Sequence, residues 1–379
     1  MPSIVIIGAG GFGAPIARAL SSKLDPKQHT ITLISSRDFF THLPGTLRMI
    51  VTPEGELEKR VLMPLDKLFV KGNGNFVLGT VTEVRSDKDG RRGWVVLESG
   101  DQIYWDILVL APGSSWEAGL NLPVGTKNHA LSHVEAWRSQ FAHAEKIVLA
   151  GGGSVGIELA GELRDLYPNK KITIVHGGPY LLNEAYPLKF RKDIELKVRK
   201  RNIELLLQNH LDQLSPVISS GVEGTYVTRE GNSLVADLIV PTRGGKPDTS
   251  FLSSLPGASL TASGHVKILP TMQLPAFPHI LAAGDVIDFP EQKQVGKAGA
   301  HQAVIVPNVV ALLKEIEIGQ AAHLKEYQGT FEAIVITNGK YGGSGYLGVL
   351  WGILFGDWLA SLFKSRWLLI GLARSQLGL

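Results

Sequence analysis

Residues Ile147–Leu163 read IVLAGGGSVGIELAGEL, and this stretch decides the fold. A buried apolar run gives way to glycines and then to a helix-forming segment. Gly151, Gly153 and Gly156 keep the G-x-G-x-x-G spacing. In such a turn the first glycine allows a tight bend. The second lets backbone approach a pyrophosphate, and the third lets the helix pack close to the strand. Alone the spacing is common. A second copy, IVIIGAGGFG at Ile4–Gly13, raises its weight. There Gly8, Ala9, Gly10, Gly11, Phe12 and Gly13 form the turn. Two cradles imply two bound dinucleotides, with electrons moving between them.

Composition agrees and narrows the chemistry. At 379 residues, two domains or slightly more are expected. Hydrophobic content of 44% against 19% charged is that of a globular chain, not a disordered one. A net charge of +3 is too small to imply nucleic acid. The chain has no cysteine, which excludes disulfides, thiolate metal sites, iron–sulfur clusters and a redox dithiol. No metal site is expected. A reducing compartment fits. The first strand begins at Ser3, without a signal-peptide pattern before it, and Pro2 does not suit N-myristoylation. The expectation is therefore a cytoplasmic chain.

Working outward, each cradle opens a βαβ unit. Ser3–Ile7, a helix over Ala14–Ser22 and Thr30–Ile34 make the first. The second strand ends at Ser35-Ser36-Arg37, where a ribose-binding acid is expected. Ser35 keeps hydrogen-bonding capacity. Arg37 reads either as a partner for a 2′-phosphate or as a loop charge. In FFTHLPGTLRM at Phe39–Met49, Arg48 reads either as a cation for a pyrophosphate or as a helix surface charge. The strand Ile107–Ala111 ends in Ala111-Pro112-Gly113-Ser114, a hinge out of the first domain. In the second unit, the ribose position falls on His176, which leaves NADH and NADPH both open.

Three further stretches matter. HILAAGDVI at His279–Ile287 is a buried strand ending in Gly284-Asp285, and a helix follows from Ala298. Asp285 in that position suits a flavin's ribityl hydroxyls, and the helix N-terminus suits an electron-rich ring edge. KFRKDIELKVRKR at Lys189–Arg201 reads as a solvated helix face with Ile194 and Val198 buried, or else as a nucleic-acid face. After a hairpin at Asn338-Gly339 the chain turns apolar, Leu347–Phe363, then Lys364-Ser365-Arg366 and a last apolar helix to Leu379. Trp351, Trp358 and Trp367 suit a membrane interface or a greasy substrate mouth, or else a helix pair packed on the body or a dimer surface.

Taken together, the order of motifs resembles the two-dinucleotide flavoproteins of the pyridine nucleotide-disulfide oxidoreductase superfamily. More closely it is similar to the AMID-type, ferroptosis-suppressor branch of the apoptosis-inducing-factor family, relatives of type II NADH dehydrogenases. GGGSVGIELAGEL, KITIVHGG and FKSR carry this resemblance. It implies an α/β chain with two Rossmann-like domains plus a small C-terminal α+β segment. Residues 1–112 and 246–330 would form the FAD-binding domain, 113–245 the NAD(P)H-binding domain, and 331–379 a hairpin with apolar helices. It places FAD on Gly8–Gly13, Arg48, the Val81 backbone and Asp285. It places Glu158 near nicotinamide and flavin, with Lys364 as its partner. The implied activity is NAD(P)H:acceptor oxidoreduction, with a quinone fitting the apolar C-terminus and attachment at the mitochondrial outer face or a lipid droplet. Ser35 and Pro112 depart from the common acid and threonine. Flavin monooxygenation and a redox-sensing or DNA-binding role are the alternatives.

Overall fold

The computed structural model describes residues 1–212, 214 and 223–379. The first half is built on β1 (Ser3–Ile7), helix α1 (Gly13–Lys23), β2 (Thr30–Ser35), helix α2 (Leu43–Val51), β3 (Gly74–Leu78) and β4 (Ile107–Leu110). The second half holds β5 (Lys146–Ala150), α3 (Ser154–Leu166), β6 (Lys171–His176), α4 (Leu188–Lys200), β7 (Glu204–Leu207) and β8 (Leu238–Pro241). The chain then returns with β9 (Phe277–Ala282) and the long helix α5 (Ala298–Ile318). It closes with β10 (Ala333–Thr337), β11 (Gly343–Leu347), β12 (Ile353–Phe355) and the short helix α6 (Ile370–Leu377).

Two sheets organise these elements. The first runs Gln273–Leu274, β9, β4, β1, β2, β3, and the second runs β7, β6, β5, β8. Within the first, β9, β4, β1, β2 and β3 are parallel, and the four strands of the second are parallel throughout. Parallel strands need both faces covered. Ile4, Val5 and Ile6 are accordingly fully buried, as are all four residues of β4. Ser114–Ser115 pairs antiparallel with Lys246–Pro247, so the two crossings between the sheets lie side by side.

The register sets the functional edge. Following β1, one strand lies to one side (β2) and β4 lies to the other, so the order reverses there, which is where open α/β sheets bind ligands. The C-terminal ends of β1, β4 and β9 are neighbours. They bring together Gly8–Gly13, Ala111–Gly113 and Gly284-Asp285, which are far apart in sequence.

The C-terminal segment departs from expectation. The expected hairpin is present as β10 and β11, but the apolar run after it, expected as helix, adds a third strand, β12, to the antiparallel sheet. One helical turn (Asp357–Ala360) and one wider turn (Ser361–Ser365) follow. Leu368 and Leu369 take φ of 54° and 57°, which breaks the path before α6. Gly356 and Asp357 interrupt the apolar run, and tertiary contacts fix the break: the buried His42 ring meets the Leu368 carbonyl at 2.6 Å. No helix among the described residues is long and apolar enough to cross a membrane.

Candidate active site

The first cradle is shaped by what it excludes. A Cβ on Gly8, whose φ is +100°, would sit 2.2 Å from the Ala111 carbonyl oxygen. One on Gly13 would sit 1.9 Å from the Gly8 oxygen. Both glycines are therefore demanded by the protein itself. Gly10 meets nothing within 4 Å, so its open face is left for a ligand. The Gly284 position is closed by the Phe12 ring, which lies 2.8 Å from where a Cβ would stand, and Phe12 packs 4.9 Å from the His301 ring. Asp285 accepts the Ser114 hydroxyl at 2.9 Å. Burial pushes the Asp285 carboxyl up, and that hydrogen bond pulls it the other way. Gly113 has φ of +81° with open space around it. Gly79 N–H bonds the Ser35 carbonyl at 2.8 Å, which carries the following strand and Val81 past the tip of β2.

Two expectations at this end change. The Ser35 hydroxyl accepts the Arg37 N–H at 3.2 Å. Arg37 itself donates to the carbonyls of Leu122 and Pro123, and burial lowers its pKa. A guanidinium held by two carbonyls is not a free cation for a 2′-phosphate. The NADP reading of the first site loses its support.

The second cradle repeats the logic. A Cβ on Gly151 (φ +139°) would meet the Thr242 carbonyl oxygen at 2.7 Å, and one on Gly156 would meet the Gly151 oxygen at 2.0 Å. Gly153 again faces open space. His176 is folded beneath this turn: its Nδ1 accepts the Gly152 N–H at 3.2 Å. That bond puts the ring proton on Nε2, and Nε2 is buried with no partner among the described residues. Burial lowers the His176 pKa, which favours the same neutral ring. The open face of Gly153 fits a dinucleotide. His176 supports the cradle from beneath, and its far nitrogen is closed off from solvent.

The cradle helix α3 then meets the C-terminus. Lys364 Nζ donates to Glu158 Oε1 at 2.6 Å and to the Val335 carbonyl at 2.8 Å. Thr337 N–H donates to the same Glu158 oxygen at 2.9 Å. Glu158 is 7% exposed. One turn further along α3, Glu162 takes a two-pronged bond from Arg48, Nε at 2.7 Å and Nη2 at 2.8 Å. Arg48 also donates to the Ser365 carbonyl at 2.7 Å. Burial pushes the Glu162 carboxyl up, while Arg48 pulls it down. The expected placement of Arg48 on the FAD pyrophosphate is corrected accordingly. Its guanidinium ties α2, α3 and the Lys364-Ser365 turn together, and it borders a cavity that none of Gly8–Gly13 lines.

Several of these partners carry no motif. Glu162 stands at i+4 from Glu158, the one sequence signal that it shares a face. Ser365, Thr337, Ser114 and His301 meet the site only through tertiary packing. His301 Nδ1 accepts the Gly284 N–H at 3.1 Å and Nε2 faces Glu291 at 2.9 Å, holding the Gly284-Asp285 turn from behind. In the basic helix α4, Phe190, Ile194 and Val198 are buried. Lys197, Arg199 and Arg201 are paired with Asp193, Glu195 and Asp165.

The pattern that describes pyridine nucleotide-disulphide oxidoreductases matches residues 2–304. The chain belongs to this family. It is an oxidoreductase that works with FAD and NAD(P)H, although it lacks the cysteines the family's name evokes. It is 43% identical to the FAD-dependent oxidoreductase FVFD30 of Flammulina velutipes, over 87% of this chain and 99% of that protein. It is 32% identical to apoptosis-inducing factor homolog B of Dictyostelium discoideum, over 82% and 81%. It is 25% identical to ferroptosis suppressor protein 1 of Taeniopygia guttata, over 99% and 95%. These bear out the resemblance drawn from the motifs. The sulfide:quinone oxidoreductase of Aquifex aeolicus shares the fold, with a TM-score of 0.74 at 18% identity, covering 100% of this chain and 92% of that one.

Proposed function

We propose that this chain oxidises NAD(P)H and delivers the electrons to a quinone-type acceptor at a membrane surface, on the cytoplasmic side. The observation that carries the proposal is the 2.6 Å contact of Lys364, from the C-terminal segment, with Glu158 on the second-cradle helix. FAD, when bound, takes the hydride of the nicotinamide and passes electrons onward. The residues of the chain supply everything around that step.

Gly8–Gly13 and the N-terminus of α1 would hold the diphosphate of FAD, with Gly10 giving the open approach. The Asp285 carboxylate would accept the ribityl hydroxyls, and Ser114 aims it. Gly151–Gly156 would hold NAD(P)H, with Gly153 giving the open approach and His176 bracing the turn. Glu158 and Lys364 have side-chain exposures of 9% and 16%, so the pair is largely shielded from water. A fixed ammonium there would offset negative charge on a reduced flavin without reorganisation. Glu158, the Val335 carbonyl and the Thr337 N–H hold that geometry.

The acceptor follows from two features. Without cysteine the electrons have no dithiol to visit, so they leave from the flavin directly to the acceptor. Beside the Lys364 turn lies an exposed apolar surface: Trp351 and Trp358 are 105% and 76% exposed, Trp367 and Phe363 55% and 54%. Exposed aromatic side chains on one C-terminal segment suit an interfacial docking face. One protein of the same fold carries the name sulfide:quinone oxidoreductase, which agrees with a quinone acceptor.

The test is anaerobic reduction of the holoprotein by NADH and by NADPH, then turnover on a short-chain quinone. Lys364→Met is expected to slow flavin reduction on the order of 10²-fold, the scale of removing one charge-stabilising donor, with FAD content unchanged. Absence of flavin bleaching by either nicotinamide would refute the reaction. Bleaching without quinone turnover would refute the acceptor.

A further inference from the structure

A cavity of about 80 Å³ lies one helical turn beyond the Glu158 pair, between α2 and the C-terminal turn. Its lining includes Arg48, Arg60, Lys340, Arg366, Trp367 and Glu54. Four cations thus face a single carboxylate, and Glu54 is already held by Lys340 at 2.7 Å. Arg60 and Arg366 have no ion-pair partner among the described residues, and Arg366 lies 5.2 Å from the Trp367 ring centre. Arg48 is only 7% exposed. Its Nε and Nη2 are bonded, but Nη1 has no hydrogen bond among the described residues. Nη1, open to the cavity, and the unpaired Arg60 and Arg366 give this lining an excess of cationic donors that suits an anion. The volume suits one tetrahedral oxyanion or a few waters.

We infer that this cavity is a binding site for the phosphate of an anionic lipid headgroup. The occupant is argued from what adjoins the site. Arg366 and Trp367 directly follow the turn that carries the exposed Leu362 and Phe363, and Leu372 stands on the next helix, α6; these three apolar side chains are 55%, 54% and 57% exposed. A phosphate seated on Arg60 and Arg366 sets its acyl chains beside those side chains. Charge and apolar surface then meet one amphipathic molecule. The site also reaches the chemistry: Arg48 is shared between the cavity and Glu162, on the helix that carries Glu158. This inference rests on the membrane-surface reading above.

The experiment uses the FAD-loaded protein and sedimentation with two vesicle types, phosphatidylcholine alone and phosphatidylcholine with phosphatidylglycerol. Arg60→Gln/Arg366→Gln is compared with wild type and with Lys189→Gln/Lys192→Gln, which removes two exposed cations from α4. Wild type is expected to prefer the anionic vesicles. The arginine variant should bind them roughly 30-fold more weakly, following the usual contribution per interfacial cation. It should keep its binding to neutral vesicles and its rate of flavin reduction by NADH, while the lysine variant keeps the preference. Equal wild-type binding to both vesicles overturns the headgroup site and leaves the membrane face standing. Binding to neither vesicle overturns both. An equal loss in the lysine variant shows general surface charge, and overturns the site. Tryptophan fluorescence that saturates with inorganic phosphate, in a protein that shows no vesicle preference, assigns the cavity to a free anion and overturns the lipid.

Discussion

Replacing Glu162 by leucine tests the junction on which the site hangs. The change keeps a side chain of similar volume and removes the carboxylate that answers Arg48. Both groups are shielded, with side-chain exposures of 8% and 5%, and the bond is two-pronged at 2.7 and 2.8 Å. Breaking one side of a buried pair costs about 3–5 kcal/mol, because the remaining charge stays out of water without its partner. Arg48 retains the Ser365 carbonyl and borders a cavity that water can enter, so the low end, about 3 kcal/mol, is expected. Arg48→Met/Glu162→Leu removes both charges and should recover most of that loss. Arg48→Met alone behaves differently with pH. Burial already raises the Glu162 carboxyl, and without Arg48 it rises further. A carboxyl whose folded pKa exceeds its unfolded value penalises the fold increasingly as pH climbs from 4.5 toward the folded pKa. The Arg48→Met deficit should therefore shrink as pH falls toward 4.5, and the Glu162→Leu deficit should not. Urea denaturation of the FAD-loaded variants, followed through the midpoint at constant slope, measures both effects. A Glu162→Leu cost below about 1 kcal/mol, or a double variant as unstable as the sum of the singles, would refute the reasoning.

The cradle glycines divide into two kinds. Gly156→Ala places a Cβ 2.0 Å from the Gly151 oxygen and should cost about 1–3 kcal/mol by overpacking, whereas Gly153→Ala meets nothing and should raise the KM for NADH while leaving the unfolding midpoint in place. Steady-state kinetics beside thermal melts separate the two, and a Gly153→Ala protein with unchanged KM contradicts the ligand-facing assignment. At Glu291, burial pushes the carboxyl up, yet hydrogen bonds from His301 and Tyr327 outweigh it and bring it down to about 2 from the ordinary 4.5. That depressed value adds stability above pH 4.5 and is lost as pH falls from 4.5 to about 2, so Glu291→Gln should flatten the acid limb of the stability curve. Identical acid limbs for the two proteins would show that Glu291 does not contribute.

How much of this was legible in the sequence follows from range. Glycine spacing is local, and both cradles, with the strand before and the helix after, were readable as they stand. Asp285 was readable once it stood third behind them. Arg48 and Arg37 were not, because a guanidinium looks the same whether it faces phosphate or a carbonyl. Their partners lie 114 and 85 residues away. The apolar C-terminus misled for a related reason. The hairpin at Asn338-Gly339 was readable, but hydropathy suggested apolar helix after it, whereas pairing of β11 and β12 and the His42 bond to Leu368 impose a third strand and a broken turn.

The sequence by itself determined the two dinucleotide folds, their order and the absence of thiol chemistry, since these depend on residue type at short spacing. Only the tertiary structure decided which charges meet. Parallel pairing of β1, β4 and β9 assembles the first site from three distant turns. The docking of the C-terminal turn on α3 sets Lys364 on Glu158 and places Arg48 between Glu162 and the cavity lined by Arg60 and Arg366. Long-range ion pairs are fixed by how whole elements pack, and no local pattern encodes them.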